Sequence, residues 1–178
     1  MNSIQKLVDK IDNADLWEND LVLSRNEYLK VEGSIDTNIY YVKKGSLRVY
    51  VLDEYEEHTI RFGYKNNFIA ALDSFLTENP SDLYIQALRE TQLYVVGKEK
   101  LVHFMNASPE NLQLWRNILE LFIRQQMERE RDLLTSSPIK RYKRVLKRSP
   151  QLFQEIPHKY IASYLRMAPE TLSRLKKS

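Results

Sequence analysis

The chain has no cysteine. That absence removes disulfides, thiolate nucleophiles, thiolate zinc sites and cysteine-ligated iron–sulfur clusters together. Histidine is almost as scarce: His58, His103 and His158 are the full set, far apart and without H-x-H or H-x-x-x-H spacing. Cupin-type metal chemistry needs clustered histidines and carboxylates, so it has no ligand set, and haem ligation by His58 or His103 has no positive support. No serine stands in a nucleophile elbow or other catalytic motif. Neither an enzyme nor a metal or other cofactor is expected. Long apolar runs are also missing: no stretch approaches the ~20 residues of a membrane span. The start, MNSIQKLVDKIDNADLW, is charged throughout and lacks the apolar segment of a signal peptide. A cytoplasmic protein without a membrane partner is the expectation.

What is present fits a soluble globular protein of one domain or two small ones: 178 residues, 43% hydrophobic and 29% charged. The net charge of +3 is unevenly placed. Residues 138–178 hold 11 Lys/Arg against 2 Asp/Glu, a net of +9, whereas residues 1–137 hold 16 against 22, a net of −6. A basic terminal segment on an acidic larger part is the distribution of a nucleic-acid module joined to another domain. A solvated basic face produces the same count, so charge alone does not decide.

Ile4, Leu7, Val8 and Ile11 stand at helical spacing and predict a short leading helix. From about residue 20 to 100, short runs rich in Val, Ile, Tyr and Leu alternate with turn residues, which predicts strands. YYVKKGSLRVYV reads as two strands meeting at Lys44-Gly45, with Gly33 at another turn and Gly63 at a turn or bulge. The spacing predicts an antiparallel roll or barrel, interrupted by a short helix in FIAALDSFLTENP. Ser108-Pro109-Glu110 then supplies a capping hydroxyl, a first-turn proline and an acid at the positive end of the helix dipole. The helix that follows has a broad apolar stripe through Leu114, Ile118, Leu121 and Gln125, beside Trp115, Leu119 and Phe122. One side is expected to pack on the roll and the other on the same helix of a second subunit, before MERERD turns the helix polar.

Ser137-Pro138 opens a further helix with Ile139, Tyr142, Val145 and Leu146 on one face, and Ser149-Pro150 breaks it. Pro157, able to occupy a first helical position, leads into PHKYIASYL, where Tyr160, Ile161, Tyr164 and Leu165 form an apolar face and Ala162 permits a close crossing. In PETLSRLKK, Leu172 and Leu175 face inward and Glu170, Thr171, Ser173, Arg174 and Lys177 outward. Arg can reach the two acceptors of guanine, Glu can accept from cytosine, and hydroxyls and lysines suit phosphates. Two helices joined by a three- to four-residue turn have helix-turn-helix spacing, shared with plain helical hairpins.

RYKRVLKRSPQLFQEIPHKYIASYLRMAPETLSRLKK resembles the C-terminal region of the superfamily that includes the cyclic-AMP receptor protein and the fumarate–nitrate regulators, particularly its short Bacteroidetes-like members. IASYL followed by PETLSR is the most specific part, and the resemblance extends through IYYVKKGSLRVYV and NNFIAALDSFLTENPSDLYIQAL over nearly the whole chain. It implies an α+β architecture: a cyclic-nucleotide-binding-like roll, or double-stranded β-helix, over 1–107; a dimerisation helix over 108–136; and a helix-turn-helix over 137–178. By that resemblance Glu170 and Arg174 read bases and Thr171 contacts phosphate. The implied partners are double-stranded DNA, a second copy of the chain, RNA polymerase, and a small-molecule effector of unknown identity.

The departures carry information. Arg166 stands where relatives carry glycine, which costs on the order of 1 kcal/mol in a left-handed turn, although its charge lies near the expected DNA backbone. Ala168 replaces a hydroxyl residue, losing a cap worth about 1 kcal/mol and one phosphate contact. The sequence ends at Ser178, so the hairpin wing of many relatives is not expected. In the roll, relatives bind cyclic nucleotide with a Gly-Glu pair and an Arg-Ser pair. Here those positions are Ala70-Ala71 and Ser81-Asp82; carboxylate and arginine are both missing, and Asp82 repels phosphate. Arg61 and Arg89 are present, but nothing in the sequence aims them at this place. A homodimeric DNA-binding regulator that does not take cyclic AMP in the usual mode is the first expectation. The alternative is a signalling or scaffolding module whose tail has lost DNA recognition, suggested by Arg166 and Ala168.

Overall fold

The structure, a computed structural model, describes residues 3–176. Helix α1 (Ser3–Asn13) leads into eight short strands: β1 (Asn19–Leu23), β2 (Tyr28–Lys30), β3 (Asn38–Lys44), β4 (Ser46–Asp53), β5 (Glu56–Tyr64), β6 (Phe68–Ile69), β7 (Tyr84–Ala87) and β8 (Thr91–Gly97). Helix α2 (Leu72–Thr77) stands between β6 and β7. The strands form two antiparallel four-stranded sheets, ordered β1-β8-β3-β6 and β2-β7-β4-β5. Their facing sides enclose one apolar cluster that includes Val42, Leu47, Val49, Ile85 and Leu93. Strand β3 shows why NIYYV is apolar at successive positions. Tyr40 and Val42 turn into that cluster, while Ile39 and Tyr41 turn to the other side and pack under helices.

Gly45 joins β3 to β4 at φ +93°, and a Cβ there would stand 2.6 Å from Thr91 Cα. Both its conformation and the close approach of residues 90–91 require glycine. Gly63 is not at a turn or bulge. It lies within β5 because a Cβ would meet Ile69, whose Cδ1 is 2.7 Å away. The bulge falls three residues earlier: Val49 pairs with Arg61 and Tyr50 with Thr59, leaving Ile60 as the extra residue.

The helices follow as α3 (Lys98–Asn106), α4 (Pro109–Leu134), α5 (Pro138–Arg148), α6 (Leu152–Glu155), α7 (His158–Tyr164) and α8 (Pro169–Leu175). The start of α4 is built as its sequence requires: Ser108 Oγ accepts from the Asn111 N–H at 3.1 Å, and Pro109 fills the first turn. Leu114 and Ile118 bury against α1, α3 and the outer face of β3 and β8, with Trp115 and Phe122 packed alongside. Pro157 precedes α7 as its N-cap residue instead of occupying its first turn.

MERERD is less polar in place than its letters indicate. Arg129 is 7% exposed and Asp132 fully buried. The Asp132 carboxylate accepts from Arg144 Nε at 3.0 Å and from Arg148 Nη2 at 2.5 Å, which ties α5 to the end of α4. A third apolar cluster joins Val145, Leu152, Ile161 and Leu172 of the terminal helices to Phe62 and Leu88 of the roll.

Asp132→Ala should lower the unfolding free energy by about 2–3 kcal/mol in urea titrations. That is below the loss from a fully buried pair, because both arginines keep partial contact with water. A loss under about 0.5 kcal/mol, within the range of ordinary surface substitutions, would contradict a structural role for the pair. Gly45→Ala should cost about 2–4 kcal/mol by the same measurement, combining a left-handed Cβ with overpacking. An unchanged midpoint would refute the close approach.

Candidate nucleic-acid interface

Helices α7 and α8 cross through Ile161, Ala162, Leu165 and Leu172, all fully buried. Arg166 adopts φ +52°, the left-handed conformation for which glycine is the usual residue. Its N–H donates to the Ser163 carbonyl at 3.0 Å and the Met167 N–H to the Ala162 carbonyl at 3.1 Å, a pair of bonds that closes the helix end in a Schellman pattern. Ala168 supplies no side-chain cap to α8, and Pro169 in the first turn removes one of the N–H groups that would need it.

Beyond the turn, Leu172 is buried and Leu175 half-buried, as the apolar spacing requires. Glu170, Ser173 and Arg174 are exposed and Thr171 is half-buried, whereas Lys177 lies outside the described residues. The opposite side of this module is docked. Ser163 Oγ donates to the Glu57 carbonyl at 3.2 Å and accepts from the Thr59 N–H at 3.3 Å, so the end of α7 rests on β5. Arg166 does not extend freely: its Nη1 lies 3.1 Å from His58 Nδ1, and its carbonyl accepts from Arg141 Nη2 at 3.1 Å. Arg129 completes the junction, with Nη2 donating to the Thr59 carbonyl at 3.3 Å and the guanidinium 3.7 Å over the Tyr164 ring. Nothing in the letters MERERD distinguishes Arg129 from the charges beside it.

Two of the four roll positions without ligand chemistry, Ser81 and Asp82, lie close to a buried cation, Lys30, that the sequence did not reveal. Ala71 is buried between the sheets and begins α2; Ala70 packs toward the helices. Ser81 is buried, with its Oγ accepting from the Leu83 N–H at 3.1 Å, and Asp82 is exposed. Lys30, 4% exposed, donates from Nζ to the carbonyls of Val31 at 2.9 Å and Ser81 at 3.2 Å, and to Ser34 Oγ at 3.1 Å. Burial pushes its ammonium below the ordinary lysine range, opposed by the carboxylates of Asp73, Asp36 and Asp82. Arg89 is committed elsewhere, donating to Ser46 Oγ at 3.0 Å and pairing with Glu155 at 3.2 Å to hold α6 against the roll.

On α4, Ile123, Met127 and Leu134 are 61%, 59% and 78% exposed, forming an apolar row on the side away from the roll. The sequence stripe centred on Leu114 and Ile118 is the core-facing side; the outward row is this second one. Among the described residues no helix is long and apolar enough to cross a membrane.

Residues 21–108 match the family model of the cyclic nucleotide-binding domain. No curated protein sequence matches the chain. Among solved structures, FixK2 from Bradyrhizobium japonicum is 17% identical with a TM-score of 0.72, the alignment covering 89% of this chain and 82% of that one. A cyclic nucleotide-binding domain containing protein from Listeria monocytogenes EGD-e is 14% identical with a TM-score of 0.70, covering 99% and 89%. The Thermus thermophilus Catabolite Activator Protein is 18% identical with a TM-score of 0.61, covering 99% and 85%. Residues 21–108 therefore match the cyclic nucleotide-binding domain, and the chain shares its fold with these solved structures.

Proposed function

We propose that the chain is a DNA-binding transcription regulator that acts as a homodimer, with a sensor roll over 1–107, a dimer helix over 108–136 and a DNA reader over 137–178. The observation that carries this reading is on α8. Glu170 and Arg174 point outward and form no hydrogen bond or ion pair among the described residues, on a helix whose other side is anchored by Leu172. Such a face is suited to a major groove: Arg174 to guanine, Glu170 to cytosine, and Thr171 and Ser173 to phosphate. Lys176, exposed beside His158, adds charge at the end of the helix. Structural relatives that include a catabolite activator protein support the regulator role.

The second copy belongs on the outward row of α4. Ile123, Met127 and Leu134 are too exposed to contribute to this chain's own core, and a parallel two-helix contact would bury them. A two-fold axis along α4 then presents two copies of α8 to half-sites about one DNA turn apart, ~34–36 Å. In the roll, Ala71 and Ser81 provide neither the carboxylate nor the guanidinium that a cyclic nucleotide requires, and the Lys30 ammonium is already held by several oxygen acceptors. Cyclic AMP in the usual mode is not the input under this reading.

Arg174→Ala should weaken binding to a preferred duplex by about 1–3 kcal/mol and relax preference at one base position, measured by fluorescence anisotropy against base-substituted duplexes. Equal losses on preferred and random DNA would remove Arg174 from base reading. Met127→Glu places like charges across the proposed two-fold and should raise the dimer dissociation constant by about tenfold or more in analytical ultracentrifugation. Sedimentation identical to the unchanged protein would overturn the dimer face.

A further inference from the structure

A cavity of about 380 Å³ lies where β5, α4 and the terminal helices meet. Its walls include Arg61 and Phe62 from β5, Phe122 and Arg129 from α4, Arg148 from α5 and Tyr164 from α7. It shares no residue with Ala70, Ala71, Ser81 or Asp82. Its charge is one-sided: Arg61, Arg124, Arg129 and Arg148 line it against a single carboxylate, Glu128. That carboxylate is already engaged by Arg144 at 2.9 Å and Arg131 at 3.1 Å, and Arg148 is paired with Asp132 at 2.5 Å.

Arg129 is left short of partners. It is 7% exposed, and its Nε and Nη1 make no hydrogen bond; only Nη2 reaches an acceptor, the Thr59 carbonyl. The carboxylate acting on it, Asp132, is saturated by Arg144 and Arg148. Arg61 forms no ion pair among the described residues and lies 5.9 Å from the Phe122 ring centroid. Burial pushes both guanidiniums below the ordinary arginine range, which is the expected consequence of holding these charges out of water. The Tyr164 ring 3.7 Å away offsets part of the cost of burying this cation, and an anion would complete it. Phe62, Phe122 and Tyr64 supply apolar surface beside the guanidiniums, and the volume suits a small molecule.

We infer that this cavity is a binding site for a small organic anion, a phosphate or carboxylate joined to an apolar or aromatic group, held by Arg61 and Arg129. This rests on the regulator reading only in making that anion the effector. The coupling is geometric. The guanidinium that would grip the anion also holds Thr59 of β5 and stacks on Tyr164 of α7, so drawing it into the cavity changes how the terminal helices sit on the roll.

The test is calorimetric titration of the full chain with phenyl phosphate in the absence of DNA, with inorganic phosphate and phenol as partial probes. Phenyl phosphate should bind saturably at one site per chain and tighter than either partial probe, and R61M and R129M should each weaken it by about tenfold or more. R129M also removes the Thr59 bond and the Tyr164 stack, so thermal melting of both variants checks that they fold; R61M, at a half-buried strand position outside that junction, supplies the second variant. Absence of saturable heat, or affinity unchanged in both variants, would overturn the site. Separate DNA titrations keep the two readings apart: DNA recognition without phenyl phosphate binding overturns only the cavity inference, whereas phenyl phosphate binding lost in both variants supports it even if DNA recognition fails.

Discussion

The terminal helices from Pro138 to Leu175 rest on the edge strand of the roll, β5, which lends them apolar surface and backbone bonding groups. Phe62 enters the cluster built by Val145, Leu152 and Ile161, Ser163 bonds to the β5 backbone at Glu57 and Thr59, and Arg129 spans from Thr59 to the Tyr164 ring. Helix α7 takes its position from that strand. Arg48 extends the same contact: its guanidinium is bound by Gln86 and Glu57 and lies 4.5 Å from the Tyr160 ring centroid.

Docking of this kind makes the two ends of the chain mechanically dependent. Strand β5 presents Gly63 toward Ile69 inside the roll and Phe62 toward the terminal helices, so a shift of the strand is felt on both sides. Helix α4 has a similar double role, burying Leu114 and Ile118 in the roll's outer layer while Asp132 fixes Arg144 and Arg148 of α5. The bulge at Ile60 lies directly beside this junction, in keeping with the habit of bulges to re-aim side chains next to sites. The unpartnered donors of Arg129 are at the same place; among the described residues Arg141 Nε is the other buried side-chain donor without a partner.

Much of this was legible in the letters where one residue decides local geometry. Gly45 takes the positive φ its turn requires, Ser108-Pro109 opens α4 with the expected bond, Arg166 adopts the left-handed conformation normally given to glycine, and Ala168 leaves α8 without a side-chain cap. Periodicity located α1 and the apolar face of α7 for the same reason: burial of one face is a local pattern. What escaped depends on contacts distant in sequence. Gly63 reads as a turn or bulge in the letters because Ile69 comes close to it only once β6 is in place. Lys30 in YLKV and Arg129 in MERERD look like solvated charges, and only the folded chain sets them against Ser81 and Thr59. The apolar run of β3 marks a strand in the letters, but that both its faces are buried requires the helices that cover one of them.

The central claim is that α8 reads DNA in symmetric pairs, and selection of bound sequences from a random duplex library tests it most directly. The account predicts enrichment of a two-fold symmetric sequence whose half-site centres lie about 10 base pairs apart. A library that emerges unenriched, or enriched only in an asymmetric single site, would contradict it.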